Sequence, residues 1–550
     1  MLSDFRWKLE QIKTRMAIDA SQWAYWGKVF FRVWLLSAVV VVLFSCGEGQ
    51  RKSYAVTWVW ASTLPTAQVT YKGAYYNREK MRAWLNQTVY NGTLAEWGRW
   101  VAKISFLPVG IGGVLFLLWV QRSEDHSRHI RGAEFLEVRD LQRRLKAEGP
   151  AGISVAGLTI PKDLECKHMI FSGATGTGKS VALRDLLLQY QALGDPCIVV
   201  DPHGEFTAQF YDPNRGDVVL NPLDTRSVIW TPWGEGESDQ AIQAQAARVF
   251  PIVPGVQGPS TYYHEQARLA YRELLKQARV HDPRHIPDLL AEAVKAKRSW
   301  LGTKEVISTL QGKLDAFRYL PPGQPNWSAR EWAANPRGWV FLTFQSRDKA
   351  AVLPLISLWL ESLTGELLSR PIGALPVVRI VFDEVATLSA QPTLAELLSG
   401  GRKYNLSLTM AIQDKEQLYA IYGKSFTNNM LNQPRIRVFF QTNDGETQTW
   451  CAENIGQEET LETRETETVG PADARDAVSR GHSPREKWLV TPSMFGMLQE
   501  REAYVRIAHL GTTKVRLPEL WAVTNHPAFL PREAAASTPA APSPNRRTRI

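Results

Sequence analysis

At 550 residues and 62.0 kDa, the chain exceeds the roughly 250–300 residues at which a single core usually divides, so we expect several domains. A mean hydropathy of -0.24 excludes a protein that lies mostly in the bilayer, and a net charge of +9 suits either a polyanionic partner or basic loops beside a membrane. The four cysteines include no CxxC pair and the ten histidines form no HExxH motif, so no disulfide framework or zinc site is indicated. Any metal is therefore expected to arrive with a nucleotide.

Two apolar segments near the N-terminus predict a membrane anchor. The first transmembrane helix is predicted at residues 30–46, where Arg32 can extend to the headgroups, and the second at residues 104–120, which carry no charge. A signal or lipoprotein signal peptide is the alternative for the first segment, but its upstream region is too long. A buried core helix is the alternative for the second.

The distribution of charge orients this anchor. Seven Lys and Arg residues lie within residues 121–147, directly after the second segment, and such residues favour the cytosolic side. Residues 1–29 and the chain after residue 120 are thus predicted to be cytosolic, while residues 47–103 form a periplasmic loop. The many aromatic residues of this loop form either a membrane-interface belt or a partner surface.

The rest of the chain predicts an α/β fold. From Gly152 onward, short β-rich segments alternate with helical periods, as in a parallel sheet with crossover helices. The alternation stops within residues 227–336, where apolar residues recur at three- and four-residue spacing and predict an inserted all-α domain. The predicted segments are a nucleotide-binding domain in two parts, residues 121–226 and 337–530, a charged surface loop at residues 457–485, and a disordered tail at residues 531–550.

A phosphate-binding loop lies between a predicted strand (HMIFS) and a predicted helix (VALRDLLLQY). Its sequence matches GxxxxGK(S/T) completely, and its glycines allow successive amides to surround the β-phosphate at a helix N-terminus. Lys179 is predicted to reach the β- and γ-phosphates, and the Ser180 hydroxyl to bind Mg²⁺. The predicted nucleotide-binding residues are Gly173, Ala174, Thr175, Gly176, Thr177, Gly178, Lys179 and Ser180.

Asp383 and Glu384 follow the apolar segment VVRIVF, which is the Walker B arrangement. Asp383 is predicted to support Mg²⁺, and Glu384 to orient the attacking water. Acidic pairs after apolar strands are common in isolation, but here a phosphate-binding loop accompanies the pair. The two motifs together predict an enzyme that hydrolyses ATP with Mg²⁺.

A third pattern, LSGGR at residues 398–402, is similar to the LSGGQ signature of ABC transporters. In ABC proteins that signature precedes Walker B, whereas here it follows, which argues against transport of small solutes. The next predicted strand, LSLTMAI, ends at Gln413. The Gln413 amide either senses the γ-phosphate or is an ordinary polar group at a strand end.

The cytosolic part resembles the type IV coupling proteins of the TraD kind, which belong with the FtsK/HerA motors among the RecA-like ATPases. The segments that carry the resemblance include FSGATGTGKSVALRDLL, IVVDPHGEF, LNPLDTRSVIW, WVFLTF, RIVFDEVATLSA, LLSGGRKYNLSLTMAIQDKEQLYAIYG and LVTPSMFGMLQEREAYVRI. The two apolar N-terminal segments and the helical insertion also follow the order of that family. The resemblance implies a RecA-like P-loop core with an inserted all-α domain and a two-helix transmembrane anchor.

The resemblance also implies roles for single residues. Arg402 matches the arginine that reaches a neighbouring subunit's nucleotide, and Gln413 matches the glutamine that couples hydrolysis to movement. An arginine supplied in trans requires contact between subunits, and the family implies a homohexamer with a central channel. The segment DPHGE, from Asp201 to Glu205, either lines the nucleotide site or forms a pore loop, and we assign it no catalytic role.

By the same resemblance the cargo is DNA, passed as a single strand during transfer. The implied partners are a relaxase or relaxosome and the proteins of a type IV secretion channel. The implied location is the bacterial inner membrane, as a multi-pass protein with its ATPase domain in the cytoplasm.

Two other functions stay open on the sequence. A chromosome-segregating motor like FtsK usually carries a C-terminal winged helix, for which there is no space after Pro518. A receptor that recruits protein substrates to the secretion channel without pumping DNA is the stronger alternative. Such a receptor would not need the Walker residues, Arg402 or Gln413, all of which are present.

Overall fold

This computed structural model describes residues 68–71, 74–84, 128–252, 258–278, 282–372, 376–468, 477–520, 522–532 and 547–548. The chain divides into two compact units, residues 1–127 and 128–550. In the first unit an antiparallel pair, β1 (Gln68–Tyr71) and β2 (Ala74–Asn77), leads into helix α1 (Arg78–Trp84). Both predicted membrane helices and residues 1–29 lie outside the described residues, so the anchor stays a prediction.

The second unit is built on a nine-stranded sheet. Seven of its strands are parallel, and two at one edge are antiparallel to their neighbours. Short apolar segments form the central strands, which are buried along their whole length, as expected for a sheet covered on both faces. In spatial order the strands are β16 (Gly511–Arg516), β15 (Glu502–Ile507), β12 (Ile436–Phe439), β6 (Met169–Ser172), β11 (Leu406–Ile412), β10 (Val378–Phe382), β7 (Cys197–Val200), β9 (Trp339–Leu342) and β8 (Val218–Leu220).

Helices connect the parallel strands and cover the sheet. The register brings the carboxyl ends of four strands to one edge, because Ser172 pairs with both Ile412 and Phe439, and Phe382 pairs with Met410. The helices around the sheet are α2 (Val138–Glu148), α3 (Lys162–Glu165), α4 (Lys179–Leu193), α5 (Glu205–Phe210), α11 (Lys349–Leu368), α12 (Thr393–Gly400), α13 (Lys415–Tyr422), α14 (Lys424–Asn432), α15 (Gly445–Ile455) and α16 (Pro492–Gly496). A separate antiparallel pair, β4 (Ala151–Val155) and β5 (Leu158–Pro161), lies between α2 and α3 in the chain.

Between β8 and β9 the described chain contains helices and no strands, which confirms the predicted all-α insertion. Apolar faces of these helices meet α11, where Trp230 packs edge-on against Trp359 and Phe317 with ring centroids 6.1 Å apart in both pairs. The limits 227–336 stay a prediction. The helices are α6 (Asp239–Val249), α7 (Pro259–Gln277), α8 (Ile286–Lys295), α9 (Lys304–Leu314) and α10 (Ala329–Ala334), with 3-10 turns at Pro232–Glu235, Pro283–His285, Ser299–Leu301 and Asp315–Tyr319.

The prediction of a surface loop at residues 457–485 is wrong. Strand β13 (Gln457–Thr468) pairs with β14 (Ala477–Trp488) in a long antiparallel hairpin, and β13 also pairs with β3 (Arg128–Gly132). The alternation of Thr with charged residues made this segment look like a solvated loop, but Thr is also a good strand former. Arg131 of β3 forms an ion pair with Glu459, so charge here supports cross-strand pairing.

The predicted disordered tail also needs a correction at its described residues. Pro531 forms a bridge with Asp224, and the Thr225 amide donates to the Leu530 carbonyl oxygen at 2.9 Å. At the far end β18 (Arg547–Thr548) pairs with β17 (Ala522–Val523). The rest of residues 531–550 lies outside the described residues.

Within the described part of the chain, α11 is the one helix long and apolar enough to cross a membrane. It lies under the all-α insertion and 67% of its most apolar window is buried in the protein. This burial is what a core helix of an α/β domain shows.

Candidate functional site

The phosphate-binding loop lies at the carboxyl edge of the sheet, between β6 and α4. Two backbone hydrogen bonds fix the start of the loop. The Gly173 amide donates to the Ile412 carbonyl oxygen at 3.2 Å, and the Ala174 amide donates to the backbone carbonyl oxygen of Gln441 at 2.8 Å. The Thr177 hydroxyl closes the loop by donating to the Ala174 carbonyl oxygen at 2.8 Å. The loop amides thus precede the N-terminus of α4, where an anion is stabilised by the helix dipole.

Lys179, the first residue of α4, is buried within this loop. Its Nζ donates to the carbonyl oxygens of Gly173 and Ala174, the latter at 2.9 Å. Burial lowers the pKa of Lys179, and the nearby charges of Glu384 and Asp383 raise it. The ammonium group therefore lies between the phosphate-binding loop and the acidic pair.

Arg501, which the sequence analysis missed, supports the same loop. Its amide donates to the Thr177 carbonyl oxygen at 2.9 Å, and a Cβ atom at Gly178 would lie 3.1 Å from its Cα. Gly178 has φ +119° and Arg501 has φ +65°. The close approach of the two backbones therefore requires a glycine at position 178 and an energetically costly left-handed conformation at Arg501. Arg501 follows the segment LVTPSMFGMLQE, 322 residues beyond Lys179, and no local pattern linked the two.

Asp383 and Glu384 follow β10 at the same edge. Burial raises the pKa of Asp383 to about 7, with the charges of Asp201, Glu205 and Glu384 adding to the rise and Lys179 opposing it. Burial likewise raises the pKa of Glu384 to about 7, against the charge of Lys179. Carboxylates held close together in a buried site are typical of catalytic and cation-binding positions.

The residues present suit Mg²⁺ bound together with a nucleotide. Among the described residues, no group of three or more His, Cys, Asp and Glu side chains could hold a metal by itself. Mg²⁺ in phosphoryl-transfer sites takes one or two protein oxygens and completes its shell with water and phosphate oxygens. Asp383 supplies a carboxylate, and a bound cation would offset the repulsion between this carboxylate and the other acids around it. Ser180, the residue after Lys179, supplies a hydroxyl group.

The DPHGE segment lies beside the acidic pair. Asp201 is buried at the end of β7 and accepts hydrogen bonds from the amides of Glu205 and Thr207, at 3.0 and 2.7 Å, and from the Thr207 hydroxyl. Burial raises the pKa of Asp201 to about 6. Asp201 thus caps α5 and, through its charge, acts on Asp383. Of the two alternatives left open, proximity to the nucleotide site is the one the geometry favours.

A second residue missed by sequence reasoning, Arg184, joins this segment to α4. Its side chain is almost fully buried and pairs with Glu205 at 2.5 Å, while its Nε donates to Gln209 at 2.7 Å. The charge of Asp383 also acts on Arg184. Its position on the same helix as Lys179 was only a weak indication of a role at the site, because a basic residue on a helix is usually exposed to solvent.

Gln413 lies directly after β11, next to the phosphate-binding loop. Its Oε1 accepts a hydrogen bond from the Thr175 hydroxyl at 3.1 Å, and its amide groups lower the pKa of Glu384. The structure therefore brings Gln413 together with a loop residue and with the acidic pair.

Arg402 lies away from all of these residues. It belongs to a 3-10 turn, Gly401–Tyr404, that precedes β11, whereas Gln413 follows the end of the same strand. The six steps from the first to the last residue of β11, at about 3.3 Å each, span about 20 Å. Arg402 is exposed at the amino edge of the sheet and does not reach the phosphate-binding loop of its own chain.

A neutral histidine supports the turn that carries Arg402. His168 is buried with φ +62°, and its Nδ1 accepts a hydrogen bond from the Leu408 amide at 3.2 Å. Burial lowers the pKa of His168 to about 4, and hydrogen bonds with the backbone of Leu398 and Leu397 only partly oppose this. The ring therefore links the end of α12, just before Arg402, to the start of β11.

Comparison with known proteins identifies the family. The model of the type IV secretion-system coupling protein DNA-binding domain matches residues 152–302 and 290–518, which together cover more than half of the chain. The chain belongs to the type IV secretion-system coupling proteins. It is 24% identical over 558 aligned residues to the coupling protein TraD of Escherichia coli (strain K12), covering 92% of this chain and 76% of that protein.

Solved structures of a coupling protein share this fold. The bacterial conjugative coupling protein TrwBdeltaN70, in an unbound form, is 26% identical with a TM-score of 0.64, covering 74% of this chain and 96% of that one. The plasmid coupling protein TrwB in complex with ADP and Mg²⁺ is 26% identical with a TM-score of 0.63, covering 73% and 97%. The RecA-like core with its all-α domain is therefore confirmed for this coupling protein. The catalytic and binding roles of single residues stay predictions.

Proposed function

We propose that this coupling protein hydrolyses ATP with Mg²⁺ and couples hydrolysis to the transfer of DNA through a type IV secretion channel during bacterial conjugation. The observation that carries the proposal is the meeting of Lys179, Asp383, Glu384 and Gln413 at the carboxyl edge of the sheet, in a chain of the coupling protein family. The relatives TraD and TrwB are named as coupling proteins, and TrwB is described with ADP and Mg²⁺.

The chemistry is assigned to the chain's own groups. The loop residues Gly173 to Ser180 surround the phosphates, and Lys179 neutralises charge that develops on them. Ser180 and Asp383 hold Mg²⁺, which neutralises phosphate charge when bound. Glu384, with its pKa raised to about 7, accepts a hydrogen bond from the attacking water and draws its proton as the phosphoryl group leaves.

Gln413 is proposed to report the state of the γ-phosphate to the rest of the core. It contacts Thr175 of the loop and lies beside Glu384, so a change at the phosphates alters its hydrogen bonds. Because Gln413 terminates β11, such a change is transmitted to an element that spans the core.

The active form is proposed to be a homohexameric ring. The strand β11, about 20 Å long, separates Arg402 from Gln413, so Arg402 can stabilise phosphoryl charge only at the site of another subunit. A ring brings the amino edge of one sheet against the carboxyl edge of the next. The geometry of Arg402 supports this arrangement.

The remaining partners and the location are proposed from the sequence and the family. Two transmembrane helices at residues 30–46 and 104–120 anchor the chain in the bacterial inner membrane, with the periplasmic loop between them and the ATPase core in the cytoplasm. The relaxosome and the secretion channel are the proposed partners. The proposed division of the core is into residues 121–226 and 337–530, on either side of the all-α domain.

The proposal is tested by ATP hydrolysis of the full chain in detergent or lipid nanodiscs. Turnover is measured alone, with single-stranded DNA and with double-stranded DNA, over a salt series that reports phosphate contacts. We expect stimulation by DNA that fades as salt rises. Absence of stimulation by either form, in a preparation shown to be oligomeric, would favour a receptor for protein substrates instead.

A further inference from the structure

A basic cleft lies at the amino edge of the sheet, where Arg402 is exposed. The cleft has a volume of about 400 Å³, within the range of small-ligand sites. Its lining includes Cys166, Lys167, His168, Arg402, Arg435 and His509, and no acidic side chain of the described residues lines it. Lys167, Arg402 and Arg435 are all cationic at neutral pH, so the cleft presents three positive charges to one small volume.

Three strand ends shape this cleft and fix the backbone at Arg435. The Arg435 amide donates to the Lys167 carbonyl oxygen at 3.0 Å, and the Ala508 amide donates to the Arg435 carbonyl oxygen at 2.9 Å. Arg435 thus lies between the start of β6 and the turn that joins β15 to β16. Its backbone is fixed on both sides, while its side chain is exposed.

The cations near Arg435 repel one another. The pKa of Arg437 is lowered to about 10, first by burial and then by the charges of Arg506 and Arg435. None of the ion pairs in the described part of the chain involves Arg402 or Arg435, while His509 at the rim pairs with Glu148 at 3.3 Å. Cations gathered without a counter-charge raise the energy of the isolated subunit, and an anion placed in the cleft lowers it.

We infer that Arg435 is a second guanidinium that binds the phosphates of the nucleotide held by a neighbouring subunit, beside Arg402. The inference rests on the proposed ring, in which this edge faces the neighbour's phosphate-binding loop. Two guanidinium groups that reach the same phosphate chain share its charge between them and fix its orientation. Arg435 would act only in trans, since it lies at the same edge of its own sheet as Arg402.

The test uses the full chain in detergent with three single variants. Arg435→Ala removes the guanidinium, Arg435→Lys keeps the charge, and Lys403→Ala removes an exposed cation that neighbours Arg402 but does not line the cleft. We expect Arg435→Ala to lower kcat by about 10²-fold, which is what loss of one stabilising donor typically costs. Binding of a non-hydrolysable ATP analogue to the same variant should stay within a few-fold, while Lys403→Ala should keep normal turnover. Arg435→Lys should recover part of the lost kcat.

Mixed rings decide whether Arg435 acts in trans. Two differently tagged chains, Arg435→Ala and Lys179→Thr, are co-expressed and purified through both tags. We expect the mixture to recover turnover that neither chain has alone, because an intact loop in one subunit meets an intact Arg435 in the next. A double variant, Lys179→Thr with Arg435→Ala, mixed with Arg435→Ala chains should recover none.

Failure of this inference differs from failure of the proposed ring. If Arg402→Ala complements Lys179→Thr but Arg435→Ala does not, Arg435 has no role in trans while the ring survives. If neither complements, the ring itself is contradicted. If Arg435→Ala weakens DNA binding and leaves basal kcat unchanged, the cleft binds DNA phosphates, and the nucleotide assignment is overturned.

Discussion

Arg402 and Gln413 lie at opposite ends of the same strand, β11. The strand runs from Leu406 to Ile412, and it carries Arg402 before its amino end and Gln413 after its carboxyl end. Gln413 contacts the phosphate-binding loop of its own chain through Thr175, whereas Arg402 faces the opposite edge of the sheet. A single strand therefore joins the nucleotide site of one subunit to the surface that would serve the next.

Breaking the contact between Gln413 and Thr175 should uncouple hydrolysis from DNA. Gln413→Ala removes the acceptor of the Thr175 hydroxyl and the amide beside Glu384, but leaves Lys179 and Asp383 in place. We expect ATP-analogue affinity to change less than about threefold, with DNA stimulation lost, because only the link to β11 is removed. Fluorescence titration and turnover with DNA are the measurements. Gln417→Ala, an exposed glutamine on α13, is the control and should behave as the wild type.

Arg402→Ala should inactivate a ring of identical chains and yet complement a loop variant. The expected loss in kcat is about 10³-fold, the lower end of what an arginine supplied in trans contributes. Co-purified rings that also contain Lys179→Thr should regain turnover, because each intact loop then meets an intact arginine. Mixed rings that stay inactive would contradict a role in trans.

Two substitutions at the site, Lys179→Thr and Glu384→Gln, should each abolish ATP hydrolysis. The first should impair nucleotide binding, and the second should impair the chemical step. Lys179→Thr removes the cation between the loop and the acidic pair and should also weaken ATP binding. Glu384→Gln removes the group that takes the water's proton, so ATP should bind and remain intact. Phosphate release and nucleotide retention after gel filtration separate the two. Both chains should still sediment with membranes, and residual turnover above about 10% of wild type in Glu384→Gln would exclude Glu384 as the base.

His168 should make the folded protein sensitive to acid. Its pKa is lowered by burial from 6.5 to about 4, so below pH 6.5 the unfolded chain binds a proton that the folded chain does not. The stability contribution is present above pH 6.5 and is lost as the pH falls toward 4. At about 1.4 kcal/mol per pKa unit, the loss is roughly 3 kcal/mol.

Thermal unfolding of the full chain from pH 4 to 7 measures this effect by comparison with His168→Gln. The variant should be less stable at pH 7 but should show a shallower fall in Tm toward acid. The exposed His509, replaced by Gln, is the control and should leave the slope unchanged. Parallel slopes for His168→Gln and wild type would show that His168 does not titrate as expected.

The buried guanidinium of Arg379 should be a major determinant of stability. On β10 it pairs with Glu165 at 2.5 Å and Asp195 at 2.8 Å, and it stacks on Tyr190 at 4.7 Å from the ring centroid. Arg379→Ala leaves two acids and a cavity in the core, which should cost about 3–5 kcal/mol in unfolding free energy. Arg347→Ala, which breaks an exposed pair with Asp348, should change the unfolding midpoint in denaturant very little. Equal effects of the two substitutions would contradict the assignment.

The sequence by itself determined the fold class and the nucleotide chemistry. A phosphate-binding loop is local, since Gly173 to Ser180 are consecutive and their spacing alone sets the geometry. The central strands are apolar on both faces because the sheet is covered on both sides, so their residues identify them without reference to the rest of the chain. The helical insertion was visible because the alternation of β-rich and helical segments stops within residues 227–336, where apolar residues recur only at three- and four-residue spacing.

The tertiary structure alone decided which distant residues meet. Arg501 supports Gly178 across 323 residues of chain, and Arg184 and Asp201 act on Asp383 from separate elements. The hairpin of β13 and β14 was misassigned, because Thr and charged residues suit both a solvated loop and a paired strand until the partner strand is known. The cleft at the amino edge could not be predicted from the sequence, because Lys167, Arg402 and Arg435 lie far apart along the chain. Only the register of β6, β11 and β12 gathers them, because parallel strands bring their starting residues to one edge whatever the length of chain between them.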